Sequence, residues 1–335
     1  LTDIAMIEAA AARLAGHIRR TPLLSSPFLD AIAGRRVLVK AECLQHTGSF
    51  KARGGWAAVS ALPEAVRARG VLAYSSGNHA QGVARAAAGH RVPAVIVMPA
   101  DAPRLKIDNT RALGAEVVLY DRAGGESREA LGEALAADRG LTLIRPYDEP
   151  QVIAGQGTAG LEIAEQAAGA GVHAADVLVC CGGGGLSAGI ALALAARAPG
   201  LRVRTVEPAG YDDTARSLAA GRIMANAAPG GSICDAIVTP APGALTFPIL
   251  ARLAGPGLAV SDDEALRAMA LAFLRLKIVL EPGGAVALAA ALFHPGAVSG
   301  DSVIAVATGG NVDPDTFALA LKTCARNVPQ GMENL

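Results

Sequence analysis

The stretch TGSFKARGG, residues 47–55, sets Lys51 between a small hydroxyl-bearing turn and a Gly-Gly step, directly after Phe50. A lysine so placed is either an ordinary solvated side chain or an amine held for chemistry, since its proton is readily tuned by its surroundings. Four consecutive glycines, Gly182 to Gly185, follow the apolar run VLVCC and precede a helical pattern that begins LSAGIA. Without Cβ atoms such a loop lets backbone N–H groups close on an anion at the helix start, and phosphate is the natural guest. A turn that merely joins strand to helix needs one or two glycines rather than four.

Three further turns carry polar groups. YSSGNHAQG, residues 74–82, offers Ser75, Ser76, Asn78 and His79 around Gly77. Hydroxyls, an amide and helix-start N–H groups hold a carboxylate or a phenolate-like oxygen, although Ser and Asn also serve as plain N-caps. His79 falls on the helix side and reads as structural. VATGGNVDP places Thr308 at a strand end beside glycines, where a hydroxyl meets a ring nitrogen without bringing charge; a simple turn fits equally. In VEPAGYDD, Glu207 and Asp213 flank a turn whose carbonyls add oxygen ligands for a hard cation, with solvated acids as the simpler reading.

Two nucleotide readings compete for the glycine run. No GxxxxGK[ST] pattern exists, which disfavours a P-loop. Gly183, Gly185 and Ala188 do satisfy GxGxx[GA], and Glu207 ends the next strand where a ribose-binding acid belongs, so an NAD-dependent oxidoreductase is a rival. That rival leaves Lys51 and the other polar turns unused.

The elements that must position these residues alternate. From Val71, short β-rich runs (VLAY, PAVIVM, EVVLY, LTLI) interleave with alanine-rich helical ones, and their near-continuous apolarity suits parallel strands covered on both faces. A second series follows, with DVLVCC, RVRTVE and SVIAVAT as strands, and RVLVKAE precedes both. The expected fold is α/β: two open, mostly parallel sheets with helices on both faces. Residues 66–147 form a smaller inserted domain, and residues 1–65 with 148–335 the larger one. A cleft between them at the carboxyl ends of the strands is the expected site.

Totals narrow the partners. The 335 residues are 52% hydrophobic, and thirty basic side chains balance thirty acidic ones, so no field draws the chain to nucleic acid or an anionic membrane. Five cysteines without CxxC spacing fit a reduced cytoplasmic compartment. The first residues read as an amphipathic helix rather than a signal peptide. The uncharged stretch 282–300 is interrupted by Pro295, His294 and glycines, which makes it a poor membrane span.

The polar turns form one coherent site only for a ligand with a phosphate, an aromatic ring, a ring nitrogen and an aldehyde, which pyridoxal phosphate combines. TGSFKARGG, SSGNHAQG, VIAGQGTAGLEI, GGGGLSAGIA, EPAGYDD, EPGGA and TGGN, in that order across residues 15 to 325, resemble the fold-type II pyridoxal-phosphate enzymes of the tryptophan synthase β type. The serine/threonine dehydratase and serine racemase group is the most similar. The resemblance implies that Lys51 is the Schiff-base lysine and moves the α-proton, with Phe50 beside the ring. It implies Asn78 at the phenolic oxygen, Gly182, Gly183, Gly184, Gly185 and Leu186 at the phosphate, Thr308 at the pyridine nitrogen, and Glu281 near the ring. Ser76 would face Lys51 across the substrate, and Ser75, Gly77 and His79 would help hold the substrate carboxylate. Glu207, the Tyr211 carbonyl and Asp213 look like the cation site of part of the group, for Mg²⁺, Ca²⁺ or Mn²⁺. The implied reaction is β-elimination of water from L-serine, L-threonine or 3-hydroxyaspartate to a 2-oxo acid and ammonia, with racemisation as an alternative and a homodimer as the assembly. No isoleucine-sensing regulatory domain is expected from the chain length.

Departures from the group's pattern bear on substrate. His46 replaces a common Arg or Lys, Ala236 a common Gly, and Arg145 stands where His is expected in RPYDEP. Facing the cleft, Arg145 would bind a second carboxylate and favour 3-hydroxyaspartate; facing water, it says nothing.

Overall fold

The computed structural model describes residues 2–75, 77–102, 104–121, 124–228 and 230–326. Among the described residues ten strands appear: β1 Leu23–Ser25, β2 Arg36–Ala41, β3 Val71–Tyr74, β4 Ala94–Pro99, β5 Glu116–Tyr120, β6 Thr142–Leu143, β7 Ala175–Cys180, β8 Leu201–Pro208, β9 Leu258–Val260 and β10 Ser302–Ala307. They form a six-stranded sheet, ordered β1-β2-β10-β7-β8-β9, and a four-stranded sheet, ordered β5-β4-β3-β6. All pairings are parallel except β1 with β2. Strands β3, β4, β7 and β10 are buried almost throughout because helices cover both faces, as their unbroken apolar runs require.

The uncharged stretch is a core element. The Pro282–Phe293 helix is buried from Pro282 to Leu292 and packs among β7, β8 and β10, so it has no polar face to show in sequence. Among the described residues no helix is long and apolar enough to cross a membrane.

The Lys51–Ala61 helix is fixed at both ends of its environment. Its entry turn carries left-handed Thr47 (φ 59°) and Gly48 (φ 72°) and is tied to the end of β10 by Phe50 N–H to Thr308 O (3.1 Å) and Gly310 N–H to Gly48 O (2.9 Å). Along its length Gly55 meets Gly82 of the Asn78–His90 helix, where a Cβ would come within 2.6 Å of backbone. That close approach brings the heads of two helices, Lys51 and Asn78, side by side. Arg53, wholly buried, donates to Glu42 and to Glu162 of the Pro150–Gly169 helix at 2.7 Å each, and Lys40 of β2 joins Glu162 at 2.5 Å. This closed ion cluster locks the Lys51 helix onto β2 and the long helix; a buried charge is tolerated only when so paired.

Candidate active site

The carboxyl ends of β3, β7 and β10 open on one cavity of about 190 Å³. Phe50, Lys51, Ser75, Gly77, Asn78, His79, Gly182 to Gly185, Leu186, Glu281 and Thr308 all line it, so residues spread over most of the chain meet there. Ser76 lies outside the described residues.

Lys51 begins its helix, and its Nζ donates to Pro146 O at 2.7 Å while lying 5.1 Å from the Phe50 ring centre. Burial pushes the amine down to about 8, with only the Glu281 carboxylate acting against that. Glu281 itself is pushed up to about 7 by burial, against a hydrogen bond from Asn78 Nδ2 (2.6 Å). Asn78 Oδ1 accepts from Asn311 Nδ2 (2.6 Å), which also donates to Thr47 O (2.8 Å). The Asn78 amide is thereby held in one orientation from both ends. The buried His79 ring is kept neutral, its pKa pushed down to about 3, first by burial and then by Lys51. Its Nε2 donates to Ile144 O (2.9 Å), and Nδ1 is buried without a partner.

The glycine loop runs into the Gly185–Arg197 helix through Gly184 in the left-handed region (φ 90°). Gly183 O accepts from Thr246 Oγ1 (2.7 Å) and Gly243 N (3.1 Å), which fixes the loop from behind. In front lies the Tyr147 ring, so close that a Cβ on Gly183 would fall 2.2 Å from a ring carbon. Ser187 Oγ and Thr239 Oγ1 are buried at this loop with no hydrogen-bond partner. Orphaned hydroxyls beside the free amides of a helix start fit a phosphate. Sequence reasoning passed over both; Ser187, in the first helical turn after the glycines, was the findable one.

Sequence reasoning also passed over two cations on the cavity wall. Lys106 comes from the Arg104–Ala112 helix and lies 3.9 Å from Asp235; Arg128 heads the Arg128–Arg139 helix, pairs with Glu129 at 2.7 Å and lies over the Tyr74 ring. Arg145, by contrast, is half exposed, 3.8 Å from Glu133 and away from the cavity wall, so of its two expected placements the water-facing one is found.

Glu207, Tyr211 and Asp213 stand apart from this cavity. Both Glu207 oxygens accept backbone N–H groups, from Thr214 (2.9 Å) and Ala215 (2.8 Å), at the start of the Asp213–Ala220 helix. Glu207 is buried away from the cavity that the glycine loop lines and meets no ligand there, which removes the acid that the dinucleotide reading needs. Burial first, then Asp213, pushes Glu207 up to about 8; burial pushes Asp213 up to about 6. Asp213 Oδ1 accepts from Asn226 (2.6 Å), Oδ2 is buried without a partner, and the Tyr211 hydroxyl donates to Gly230 O. Among the described residues no three acidic, cysteine or histidine side chains cluster as a metal site.

A phosphate cradle, a buried amine of lowered pKa, a fixed amide and a strand-end hydroxyl on two parallel sheets define the class. Residues 14–309 match the family model for pyridoxal-phosphate dependent enzymes, and the chain belongs to that family, in its fold-type II branch. It is 45% identical over 314 residues to L-threo-3-hydroxyaspartate ammonia-lyase of a Pseudomonas species, covering 93% of this chain and 96% of that one. It is 39% identical over 307 residues to the beta-hydroxyaspartate dehydratase of Paracoccus denitrificans, covering 92% and 95%. Maize serine racemase superposes with a TM-score of 0.88 at 36% identity, covering 97% of this chain and 98% of that one.

Proposed function

We propose that the protein is an ammonia-lyase that removes water from a hydroxyamino acid, releasing a 2-oxo acid and ammonia, and that its substrate carries a second carboxylate, as 3-hydroxyaspartate does. One observation carries this reading: the cavity that holds the Lys51 amine also holds the cationic side chains of Lys106 and Arg128. Serine and threonine bring nothing to those cations, whereas a distal carboxylate does. Similarity to the Pseudomonas ammonia-lyase supports the same choice.

Bound pyridoxal phosphate supplies an electron sink for the pair left when the α-proton is removed. Lys51 holds the cofactor and takes that proton; burial tunes its amine to about 8, near working pH, where a general base acts best. The amides of Gly182 to Gly185 and Leu186, with the hydroxyls of Ser187 and Thr239, hold the phosphate. Phe50 lies against the ring, Asn78 presents its amide to the phenolic oxygen, and the Glu281 and Asn311 contacts stop that amide from turning. Thr308 offers the ring nitrogen a neutral hydroxyl. A hydroxyl stabilises a protonated ring less than a carboxylate would, which favours loss of the β-hydroxyl over return of the α-proton. Ser75, Gly77 and the backbone at His79 take the α-carboxylate, and Ser76 is assigned to the face opposite Lys51.

The same reading includes a divalent cation, Mg²⁺ first, at Glu207, the Tyr211 carbonyl and Asp213. The unpartnered Asp213 Oδ2 and the raised pKa of both acids support it. Residues 66–147 act as the smaller domain and 1–65 with 148–335 as the larger. Homodimerisation is supported by exposed Phe28, Phe273 and Leu274, and a reducing cytoplasm by five cysteines that form no disulfide.

The test is turnover by the purified holoenzyme. Its kcat/KM for L-threo-3-hydroxyaspartate should exceed those for L-serine and L-threonine by about tenfold or more, and Arg128→Leu should erase that preference while sparing serine. Equal rates on all three substrates would remove the second carboxylate from the proposal. D-serine formed from L-serine without 2-oxo acid would replace elimination by racemisation.

A further inference from the structure

The opening of the cavity carries an ion pair that joins the two sheets. Lys106 follows β4 of the four-stranded sheet; Asp235 lies between β8 and β9 of the six-stranded sheet. Their charged atoms are 3.9 Å apart, with the Lys106 side chain 23% exposed and that of Asp235 72% exposed, and both residues line the cavity. The better buried member is therefore the cation, and its partner is a carboxylate standing mostly in water. Such a pair is weak, because water screens the carboxylate and the long lysine must be held in place.

We propose that Asp235 is a specificity-determining residue that occupies Lys106 with a protein carboxylate until the distal carboxylate of the substrate takes its place. This rests on the reading of a dicarboxylic substrate given above. The exchange follows from the geometry. An amino acid with one carboxylate uses it at the turn around Ser75 and Gly77, so the Lys106–Asp235 pair persists. A substrate with a second carboxylate brings it into the cavity, where the attraction to Lys106 is less screened than at the rim, and Asp235 is released to solvent. The 2-oxo acid formed when water is eliminated and the resulting imine is hydrolysed to release ammonia keeps both carboxylates, so the exchange also runs backwards: Asp235 competes for Lys106 and limits retention of product. The field of the pair reaches into the site, since Lys106 pulls the pKa of Glu281 down and Asp235 pushes it up.

The experiment compares wild-type holoenzyme, Asp235→Asn, Lys106→Gln and the double variant. Michaelis constants are measured for L-threo-3-hydroxyaspartate and L-serine, and inhibition constants for two unreactive probes, succinate and propionate. With Asp235→Asn, the hydroxyaspartate KM and the succinate inhibition constant should each fall about two- to five-fold at low salt. Serine and propionate should not change, and the gain should shrink as salt rises. In the Lys106→Gln background the same substitution should do nothing, which isolates the pairwise term from any general effect on folding. An unchanged succinate constant, an equal shift for succinate and propionate, or a shift that survives without Lys106 would overturn the proposal. A wild-type enzyme that turns over serine but not hydroxyaspartate would sink the substrate reading instead, while the succinate and propionate arms still judge Asp235.

Discussion

Replacing Gly183 by alanine isolates the glycine loop from every other part of the site. The residue has no left-handed backbone angle, so alanine costs nothing in conformation there; the penalty is steric. The added Cβ would lie 2.2, 2.3 and 2.3 Å from three carbons of the Tyr147 ring, against about 3.5–4.0 Å for ordinary carbon contact. The ring or the loop must move by more than an ångström. Overpacking of this kind costs about 1–3 kcal/mol, and if it is relieved by displacing the loop, cofactor affinity falls by about 5- to 150-fold. Equilibrium dialysis of the apoprotein against pyridoxal phosphate reads that change directly, with no turnover needed. Tyr147→Ala in the same chain should restore much of the affinity, because it removes the atoms the new methyl strikes. Unchanged affinity in the single variant, or no recovery in the double, would refute the argument that Gly183 is required by close approach at a phosphate site.

Three other outcomes follow from the geometry. In the apoprotein the reactivity of Lys51 toward an amine reagent, followed by peptide mass, should half-titrate near pH 8; Glu281→Gln should move that midpoint lower, since the carboxylate is what holds the amine's pKa up. Arg53→Ala strands Glu42 in the interior, with Glu162 left to Lys40, and should cost about 3–5 kcal/mol in urea unfolding, while an exposed pair such as Arg20–Glu165 should be nearly silent. Glu207 and Asp213 have folded pKa values raised to about 8 and about 6, so the charged forms are disfavoured in the folded state and stability is lost as pH climbs from the ordinary carboxylate range toward 8. A divalent cation that pairs with them should therefore raise the melting temperature more at pH 8 than at pH 5, and Asp213→Asn should abolish the difference.

Most of the sheet framework was legible because parallel strands buried on both faces leave near-unbroken apolar runs, as β3, β4, β7 and β10 do, while β5 at a sheet edge and β8 with its two arginines still carry enough β-branched residues to register. Strands β1 and β9 were not, being three residues each and too short for a period to register. The motif turns were legible as well, since TGSFK, SSGN and the four glycines are local in sequence. What joins them is not local: the Lys51 turn is tied to the end of β10 by bonds to Thr308 and Gly310, and Asn78 to Glu281 across 203 positions. The buried Arg53 cluster is equally hidden, for a charged residue two positions after Lys51 reads as surface until its two carboxylate partners, Glu42 and Glu162, are known.

Lys106 and Arg128 pose a sharper question, because a local signal for them existed. Both sit in the first turn of a helix, at the third and first positions, and the Lys106 helix carries no acidic residue in that turn. A cation there opposes the positive end of the helix dipole, at a cost of about 0.3–1 kcal/mol. Helices following parallel strands normally begin with acidic or neutral residues, and the Ser261 capping box with its three acids follows that rule. Wrong-signed charges at the carboxyl ends of strands β4 and β5 are thus local conflicts, and such conflicts concentrate where a site needs them. Arg145 has no such signature: it precedes Pro146 in a connecting turn and finds Glu133 at the surface. Conflict with the helix dipole thus marks Lys106 and Arg128 and passes over Arg145, but it also marks Arg104, which heads the Lys106 helix and stands in water, so the signal selects a cavity residue only together with its position on the wall.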